Sequence, residues 1–263
     1  MPELETIRYG VAGGLATITL ARPDKRNAIN KTMFEELARA AEMAREDATV
    51  RVLLLAAEGL SFCAGIDLQT LTQLAGAQGA AFDSFVHLAQ RPYLTLARMG
   101  KPTIAAVQGH AIGAGFQLAL ACDLRVAAPD VSFAMLEGRY GLIPDLGGSH
   151  HLARLIGPAR AKELVWTTRA VGADEALAIG LANRLARTVE DLASDASGLA
   201  RELLAFAPLS QSLSKSLIDR AHETPLETEL EREAQSQAVC LASDDHREAI
   251  AALSERRPAR FDR

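Results

Sequence analysis

Short apolar runs that alternate with a helical pattern are the feature that most limits the folds open to this 263-residue chain. Runs rich in Val, Ile, Thr and Leu, bounded by glycine, proline or charge, predict strands at residues 15–20, 51–56, 103–107 and 124–127. Between the first two strands, residues 31–44 carry apolar side chains at helical spacing. This order predicts an α/β fold, and the unbroken runs favour parallel strands that are buried on both faces.

The strand signals end near residue 190. Beyond it, helical patterns cover residues 192–206, 209–221 and 226–253, the last of them densely charged. This stretch is too thin to form a core of its own. We therefore divide the chain into an α/β core with the functional site, residues 1–190, and a C-terminal helical region, residues 191–263, which packs on the core or on another subunit.

Composition and charge narrow the class of protein further. Apolar residues make up 49% and charged residues 23% of the chain, which excludes a disordered or collagen-like protein. Asp and Glu outnumber Lys and Arg by 33 to 28, so no overall positive charge attracts nucleic acid or an anionic membrane. The three cysteines are odd in number and lack metal-ligand spacing, which predicts neither a disulfide framework nor a metal site and fits a reducing cytoplasm. Cys63 and Cys122 lie in apolar motifs and are expected to be buried.

Neither a secretory signal nor a membrane span is expected. The first thirty residues lack the apolar segment of a signal peptide. Residues 102–122 carry no formal charge, but polar side chains and three glycines divide them into a short strand and a later helix.

Two glycine-containing turns each follow a predicted strand and lead into a predicted helix. Residues 61–68 follow the strand at 51–56, and residues 109–116 follow the strand at 103–107. Such turns leave backbone N–H groups unpaired at the positive end of a helix dipole. Two of them aimed at one point would form an oxyanion hole, which stabilises negative charge on a carbonyl oxygen. The alternative is that the glycines only permit tight turns and close packing.

Four motifs follow one another along the chain. They are RPDKRNAI at residues 22–29, FCAGIDL at 62–68, GAGFQLALACD at 113–123, and FAMLE at 133–137 leading to GLIPDLGG at 141–148. With these motifs the sequence resembles the crotonase family of enoyl-CoA hydratases and isomerases over nearly its whole length. The resemblance implies a crotonase-like spiral of ββα repeats with a C-terminal helical trimerisation region, assembled as a homotrimer or a hexamer.

The resemblance also implies chemistry through a thioester enolate. It assigns the oxyanion-hole N–H groups to the backbone of Ile66 and Ala114, and preorganised donors of this kind are worth about 3 to 4 kcal/mol each. A base must also remove a proton from the carbon next to the thioester carbonyl. In the family this base comes from positions that correspond to Gln117, Glu137 and Asp145.

These three positions separate the reactions of the family. A typical hydratase has glutamates at positions 117 and 137 and a glycine at position 145. Gln117 cannot usefully accept a proton near neutral pH, which disfavours the two-carboxylate addition of water. Glu137 with Asp145 resembles the arrangement of double-bond isomerases. We therefore predict an acyl-CoA double-bond isomerase of the enoyl-CoA or dienoyl-CoA type, with an enoyl-CoA hydratase and a noncatalytic acyl-CoA-binding protein as alternatives.

Each of these side chains also has a purely structural interpretation. Gln117 would cap or pack its helix. Glu137 would form a surface salt bridge with Arg139, and Asp145 would cap a helix that begins near Gly147. The family pattern favours a catalytic role for Glu137 and Asp145. It does not decide between a structural and a functional role for Gln117.

Coenzyme A is expected as part of the substrate, an acyl-CoA thioester. Its phosphates need cations, and Arg22, Lys25 and Arg26 form a basic cluster on a predicted loop. The resemblance places the adenine end near this loop and near the backbone at Ala64. The alternative for Lys25 and Arg26 is an ordinary solvated loop. We predict no separate cofactor and no metal ion.

Overall fold

A six-stranded sheet organises the structure, a computed structural model that describes residues 4–76 and 78–261. The described residues form these strands: β1 (Ile7–Ala12), β2 (Leu15–Leu20), β3 (Val52–Ala57), β4 (Thr103–Val107), β5 (His110–Ile112), β6 (Leu124–Ala127), β7 (Ser132–Ala134) and β8 (Arg184–Leu185). The large sheet has the order β1-β2-β3-β4-β6-β8, while β5 pairs with β7 in a separate sheet. All of these pairs except β1 with β2 are parallel. The four predicted strands and their parallel pairing are confirmed.

Helices follow most of the strands, as the α/β prediction requires. They are α1 (Lys31–Glu46), α2 (Leu68–Ala75), α3 (Ala80–Ala97), α4 (Ala114–Leu120), α5 (Gly148–Ile156), α6 (Pro158–Thr167), α7 (Ala173–Ala178), α8 (Leu192–Leu204), α9 (Pro208–Arg220), α10 (Leu226–Leu241) and α11 (Asp244–Glu255). Single 3-10 turns lie at Pro23–Lys25 and Glu137–Tyr140. Helix α1 begins after Asn30, whose side chain accepts a hydrogen bond from the Met33 N–H at 2.9 Å.

The central strands are buried on both faces of the sheet. Along β3, Leu53 and Leu55 pack into the main core with α1 and α3, while Val52 and Leu54 pack into a second core with α8. Because successive side chains of a strand point to opposite faces, a strand covered on both sides has no polar positions. This explains the unbroken apolar run in the sequence.

The C-terminal helices divide into one that completes the core and three that are largely exposed. Helix α8 covers the sheet through Leu192, Ala196 and Leu199, whereas α9 has no buried residue among those described. The prediction of one helix over residues 226–253 is wrong. The chain breaks between α10 and α11, where the Ser243 side chain caps α11 by accepting a hydrogen bond from the His246 N–H at 3.1 Å. The domain boundary after residue 190 stays a prediction.

Candidate active site

The two glycine-containing turns lie side by side. Cys63 and Ala111 form a parallel bridge, in which the Cys63 N–H donates to the His110 carbonyl and the Ile112 N–H donates to the Cys63 carbonyl, each at 2.9 Å. A Cβ atom added to Gly65 would lie 3.9 Å from the Ala114 nitrogen. The pairing therefore brings the turn before Ile66 against the turn before Ala114.

Both predicted oxyanion-hole donors are free of protein acceptors. Within residues 4–76 and 78–261, the N–H groups of Ile66 and Ala114 make no hydrogen bond to the protein. Gly113, which precedes the second donor, has a φ of +51°, a conformation that side chains other than glycine rarely adopt. Gly115 permits the close approach of the two turns, because a Cβ there would lie 2.4 Å from the Cys63 carbonyl oxygen. The glycines thus position two unpaired donors next to each other.

Glu137 lies against this pair of turns. Strand β7 pairs with β5, and the Gly113 N–H donates to the Ala134 carbonyl at 2.8 Å, which brings the end of the Phe133–Glu137 motif to the second turn. A Cβ at Gly113 would lie 3.2 Å from Glu137 Oε1. Arg139 donates to the Thr168 hydroxyl at 2.9 Å, so the interpretation of Glu137 as its surface ion-pair partner fails. The structure therefore places the Glu137 carboxylate against the turn that precedes the Ala114 N–H.

The environment of Glu137 favours its protonated form. Burial raises the pKa of the Glu137 carboxyl, and the nearby charge of Asp145 raises it further, against opposing hydrogen bonds from the backbone and from Gln117. Glu137 Oε2 is buried and has no hydrogen-bond partner in the described structure. A carboxyl group with a raised pKa and one free oxygen holds a proton more readily than a solvated carboxylate and is a candidate for proton transfer.

Gln117 is a buried bridge between three parts of the site. Its Oε1 accepts hydrogen bonds from the Leu146 N–H at 2.9 Å and the Gly148 N–H at 3.0 Å. Because two N–H donors require an oxygen at that position, the amide nitrogen points the other way, and it donates to Glu137 Oε1 at 2.7 Å. Gln117 thus joins α4 to Glu137 and to the turn before α5.

Asp145 lies near Glu137 but remains open to solvent. Its side chain is exposed, yet enough protein surrounds the carboxyl that burial raises its pKa. Of the expected apolar walls, Leu146 is buried, whereas Leu142 and Ile143 are exposed. Helix α5 begins after Gly147 without a side-chain cap, so the interpretation of Asp145 as its cap fails. A second proton-transfer role for Asp145 stays a prediction.

The three cations of the basic loop differ in their contacts with the protein. Arg22 donates to the Ala28 carbonyl at 2.5 Å and forms an ion pair with Asp67 at 3.4 Å. Lys25 and Arg26 are exposed, and their side chains make no ion pair within the described part of the chain. Ala64 adjoins this loop, since its N–H donates to the Arg26 carbonyl at 3.0 Å. Of the three cations of this loop, Lys25 and Arg26 are therefore the two that make no ion pair in the described residues.

Several supporting residues were not identified from the sequence. Asn27 is buried in the left-handed conformation, and its amide donates to the carbonyls of Glu58 and Ser61 at 2.9 Å each. A lone Asn after a basic run is a weak signal for such a turn. Asp67 caps α2 by accepting from the Thr70 N–H at 2.8 Å, and the Asp-x-x-Thr spacing could have revealed this cap. Tyr93, buried beneath the second turn, has no sequence signal.

The thiols, candidate metal ligands and helix lengths of the described residues bear on three further expectations from the sequence. Burial raises the pKa of the Cys63 and Cys122 thiols to about 12 each, so both stay protonated, and their predicted burial is confirmed. Residues 4–76 and 78–261 contain no cluster of three or more His, Cys, Asp or Glu residues able to hold a metal ion. They also contain no helix that is long and apolar enough to cross a membrane.

Comparisons with known proteins agree with the fold and the motifs. Residues 10–263 match the family described as enoyl-CoA hydratase/isomerase. A crotonyl-CoA hydratase from Syntrophomonas wolfei is 34% identical over 94% of this chain and 94% of its own length. The crystal structure of an enoyl-CoA hydratase from Bacillus anthracis has a TM-score of 0.91 and 31% identity, covering 98% of this chain and 99% of that one. A Thermobifida fusca structure in complex with acetoacetyl-CoA has a TM-score of 0.84 and 36% identity, covering 90% and 95%.

These matches extend over almost the entire chain. The TM-scores of 0.91 and 0.84 show that the solved relatives share its mixed α/β architecture. The chain therefore has the crotonase fold and belongs to the enoyl-CoA hydratase/isomerase family.

Proposed function

We propose that the protein is an acyl-CoA double-bond isomerase, of the enoyl-CoA or dienoyl-CoA type, that acts through a thioester enolate. One observation carries this proposal. Glu137 supplies the carboxylate that lies against the turn before the free Ala114 N–H. Its neighbour Gln117 donates to it, and the Gln117 amide oxygen accepts hydrogen bonds from two backbone N–H groups. An amide held in this way cannot serve as a second base, so proton transfer relies on one carboxylate at this point of the site.

An acyl-CoA thioester is the proposed substrate. A family relative from Thermobifida fusca was solved in complex with acetoacetyl-CoA, at 36% identity to this chain. Lys25 and Arg26 are free cations next to Ala64 and would contact the phosphates of coenzyme A. Coenzyme A enters and leaves as part of the substrate, so the reaction requires no separate cofactor and no metal.

The oxyanion hole would stabilise the charge that develops on the thioester oxygen. The N–H groups of Ile66 and Ala114 donate to this oxygen, and the bonds strengthen as the carbonyl becomes an enolate. Because the donors are backbone groups fixed by neighbouring turns, they need no rearrangement when the charge forms.

Glu137 would transfer the proton. Starting from a 3-enoyl-CoA, the Glu137 carboxylate takes a proton from C2, and the electron pair of the C–H bond moves into the dienolate. Return of a proton to C4 shifts the double bond to C2–C3 and leaves the composition of the substrate unchanged. Glu137 can complete this step for a 3-enoyl substrate, while Asp145 would supply the proton for a 3,5-dienoyl substrate, whose new C–H bond forms further from C2.

The proposal is tested by incubating the protein with 3-enoyl-, 3,5-dienoyl- and 2-enoyl-CoA. Absorbance follows the conjugated thioester, and product mass reports water addition. We expect the 3-enoyl or dienoyl substrate to isomerise without a change in mass, and the 2-enoyl substrate to gain water much more slowly. Rapid hydration of the 2-enoyl substrate without isomerisation of the others would contradict the isomerase proposal.

An enoyl-CoA hydratase is the second candidate, because relatives at 34% and 32% identity are named crotonyl-CoA hydratase and short-chain-enoyl-CoA hydratase. In that reaction Glu137 would activate water alone. Binding of all three substrates without any turnover would favour the third possibility, a noncatalytic acyl-CoA-binding protein.

We also propose a cytoplasmic homotrimer or hexamer formed through the C-terminal helices. Large apolar side chains on these helices are exposed in the single chain, including Leu226, Leu230 and Leu253. Their burial between subunits would remove apolar surface from water. Native mass spectrometry measures the subunit number directly, and a monomer at micromolar concentration would contradict this proposal.

A further inference from the structure

Tyr93 lies beneath the oxyanion hole. It belongs to α3, its side chain is 3% exposed, and its hydroxyl donates a hydrogen bond to the Ala114 carbonyl at 3.0 Å. Its ring packs on Phe34, with a distance of 6.5 Å between ring centroids. A buried phenol therefore contacts the backbone of the same residue whose N–H is a donor of the hole.

The Ala114 carbonyl and the Ala114 N–H are coupled through the backbone of this residue. The N–H and the carbonyl of Ala114 flank one Cα atom, so a change in the backbone dihedrals of this residue turns one relative to the other. The preceding residue, Gly113, has a φ of +51° and no side chain to limit its motion. The Ala114 carbonyl belongs to the following peptide unit, so a hydrogen bond from a buried ring to this carbonyl opposes such rotation from the other side of the Ala114 Cα atom.

Helix α3 makes a second polar contact with the site. Gln90, three residues before Tyr93 and so on the same face of the helix, donates to the Asp145 carbonyl at 2.8 Å. The helix is itself attached to α1 through Arg91, which donates to both oxygens of Glu42 at 2.7 and 2.8 Å. One face of α3 thus contacts both the second glycine turn and the Asp145 turn.

The Tyr93 hydroxyl remains a donor throughout the working pH range. Burial raises the pKa of Tyr93 well above its ordinary value, and the neighbouring Cys63, Asp145 and Glu137 raise it further. The phenol therefore stays protonated where Glu137 titrates. It cannot act as a base in the reaction, which separates its role from that of the carboxylate.

We infer that Tyr93 is a positioning residue that holds the Ala114 N–H in the orientation required to stabilise an enolate. This inference rests on the proposed function, because it requires a thioester oxygen in the hole. Tyr93 would act only through the backbone of Ala114. Its loss should weaken binding of an enolate more than binding of an acyl-CoA that forms none.

The test compares two ligands in the wild type and in Tyr93→Phe, which removes only the hydroxyl. Acetoacetyl-CoA ionises to an enolate that is followed by absorbance as the pH rises, whereas butyryl-CoA does not ionise in this range. In the variant we expect enolate affinity to fall about 3- to 10-fold, the loss typical of one hydrogen bond. Butyryl-CoA affinity should be unchanged, and the bound acetoacetyl-CoA should ionise at a higher pH. Turnover should fall by the same factor as enolate affinity, with little change in KM.

Phe34→Leu is the matched control, because it loosens the packing of the Tyr93 ring but keeps the hydroxyl. It should lower the melting temperature and leave the ratio of the two affinities at the wild-type value. A Tyr93→Phe variant with a wild-type ratio, or a Phe34→Leu variant with the same loss of enolate affinity, would overturn the inference. Failure of the wild type to bind acetoacetyl-CoA as its enolate would instead contradict the proposed function.

Discussion

The two carboxylates of the site are held in opposite ways. Glu137 receives a hydrogen bond from the buried Gln117 and has its other oxygen buried without a partner in the described structure. Asp145 is exposed, and the contact that ties its turn to α3 reaches its backbone rather than its carboxylate. Burying an unpartnered oxygen costs free energy, so the Glu137 arrangement is typical of a group retained for chemistry. The exposed Asp145 carboxylate has a smaller free-energy cost of burial, which is consistent with a secondary role in proton transfer.

The largest effect should come from Glu137→Gln. Removing the base that takes the C2 proton should lower turnover by about 10²- to 10⁴-fold, the range of general-base catalysis. Substrate affinity should change little, because the hole and the basic loop remain. Steady-state kinetics with 3-enoyl-CoA measure both quantities. Turnover within about threefold of wild type would show that Glu137 is not the base.

Asp145→Asn should have a smaller, substrate-dependent effect. We expect turnover of 3,5-dienoyl-CoA to fall by about 10²-fold, the lower end for a general acid. The 3-enoyl reaction, which Glu137 completes alone, should change much less. Parallel kinetics on the two substrates measure the difference, and equal losses would reduce Asp145 to an electrostatic role.

Gln117→Glu should alter the pH dependence of the reaction. Nε2 of Gln117 lies 2.7 Å from Glu137 Oε1, so the substitution brings two carboxylates into contact and one of them must hold a proton. The acidic limb of the rate profile should therefore move to higher pH. Above that limb both groups ionise and separate, and we expect hydration to increase relative to isomerisation. Gln235→Glu, an exposed substitution on α10 with the same change in charge, is the control. An unchanged acidic limb in Gln117→Glu would contradict the contact.

Glu137→Gln should also stabilise the folded protein. The pKa of Glu137 is raised in the folded state, so folding is favoured when this group is protonated and is opposed when it is ionised. The penalty develops as the pH rises above the pKa of the unfolded chain and is complete above the folded pKa. The variant should therefore have a higher melting temperature than wild type near neutral pH and a smaller advantage in acid. Thermal unfolding at several pH values tests this, and a lower melting temperature at neutral pH would count against it.

The smallest effects should come from the free cations of the basic loop. Lys25→Ala and Arg26→Ala should each raise KM by about two- to fivefold at low salt, as expected for exposed charges, and should leave turnover unchanged. Lys162→Ala, an exposed lysine on α6, is the control. Arg22→Ala should instead lower stability, since Arg22 holds Ala28 and Asp67. If only Arg22→Ala changed KM, Arg22 rather than Lys25 and Arg26 would be the residue that contacts the phosphates.

Regular elements with a strong local signal were predicted well from the sequence. The strands β2, β3, β4 and β6 are short runs rich in Leu, Val, Ile, Ala and Thr, with one charge at Arg125, and α1 has a clear helical pattern. Strands β1, β5, β7 and β8 were not predicted. The last three have only two or three residues, and such strands depend on their partner rather than on local preference, while β1 is a largely exposed strand at the edge of the sheet. The prediction of one helix over residues 226–253 passed over a run of six polar residues at 243–248. Ser243 followed by two aspartates is the pattern of a helix start and could have revealed the break.

The amino-acid sequence fixes which chemical groups this protein can use. It contains the glycines of the two turns, a glutamate at position 137, and an amide at position 117 where a second base could have been. Which of these groups come into contact depends on the packing of elements that are far apart in the chain. Four contacts join residues that are distant in the chain. They are the bridge between the two turns, the hydrogen bond from Gln117 to Glu137, the ion pair of Arg22 with Asp67, and the hydrogen bond from Tyr93 to Ala114. Such contacts depend on how strands and helices pack together, which no local pattern of residues encodes.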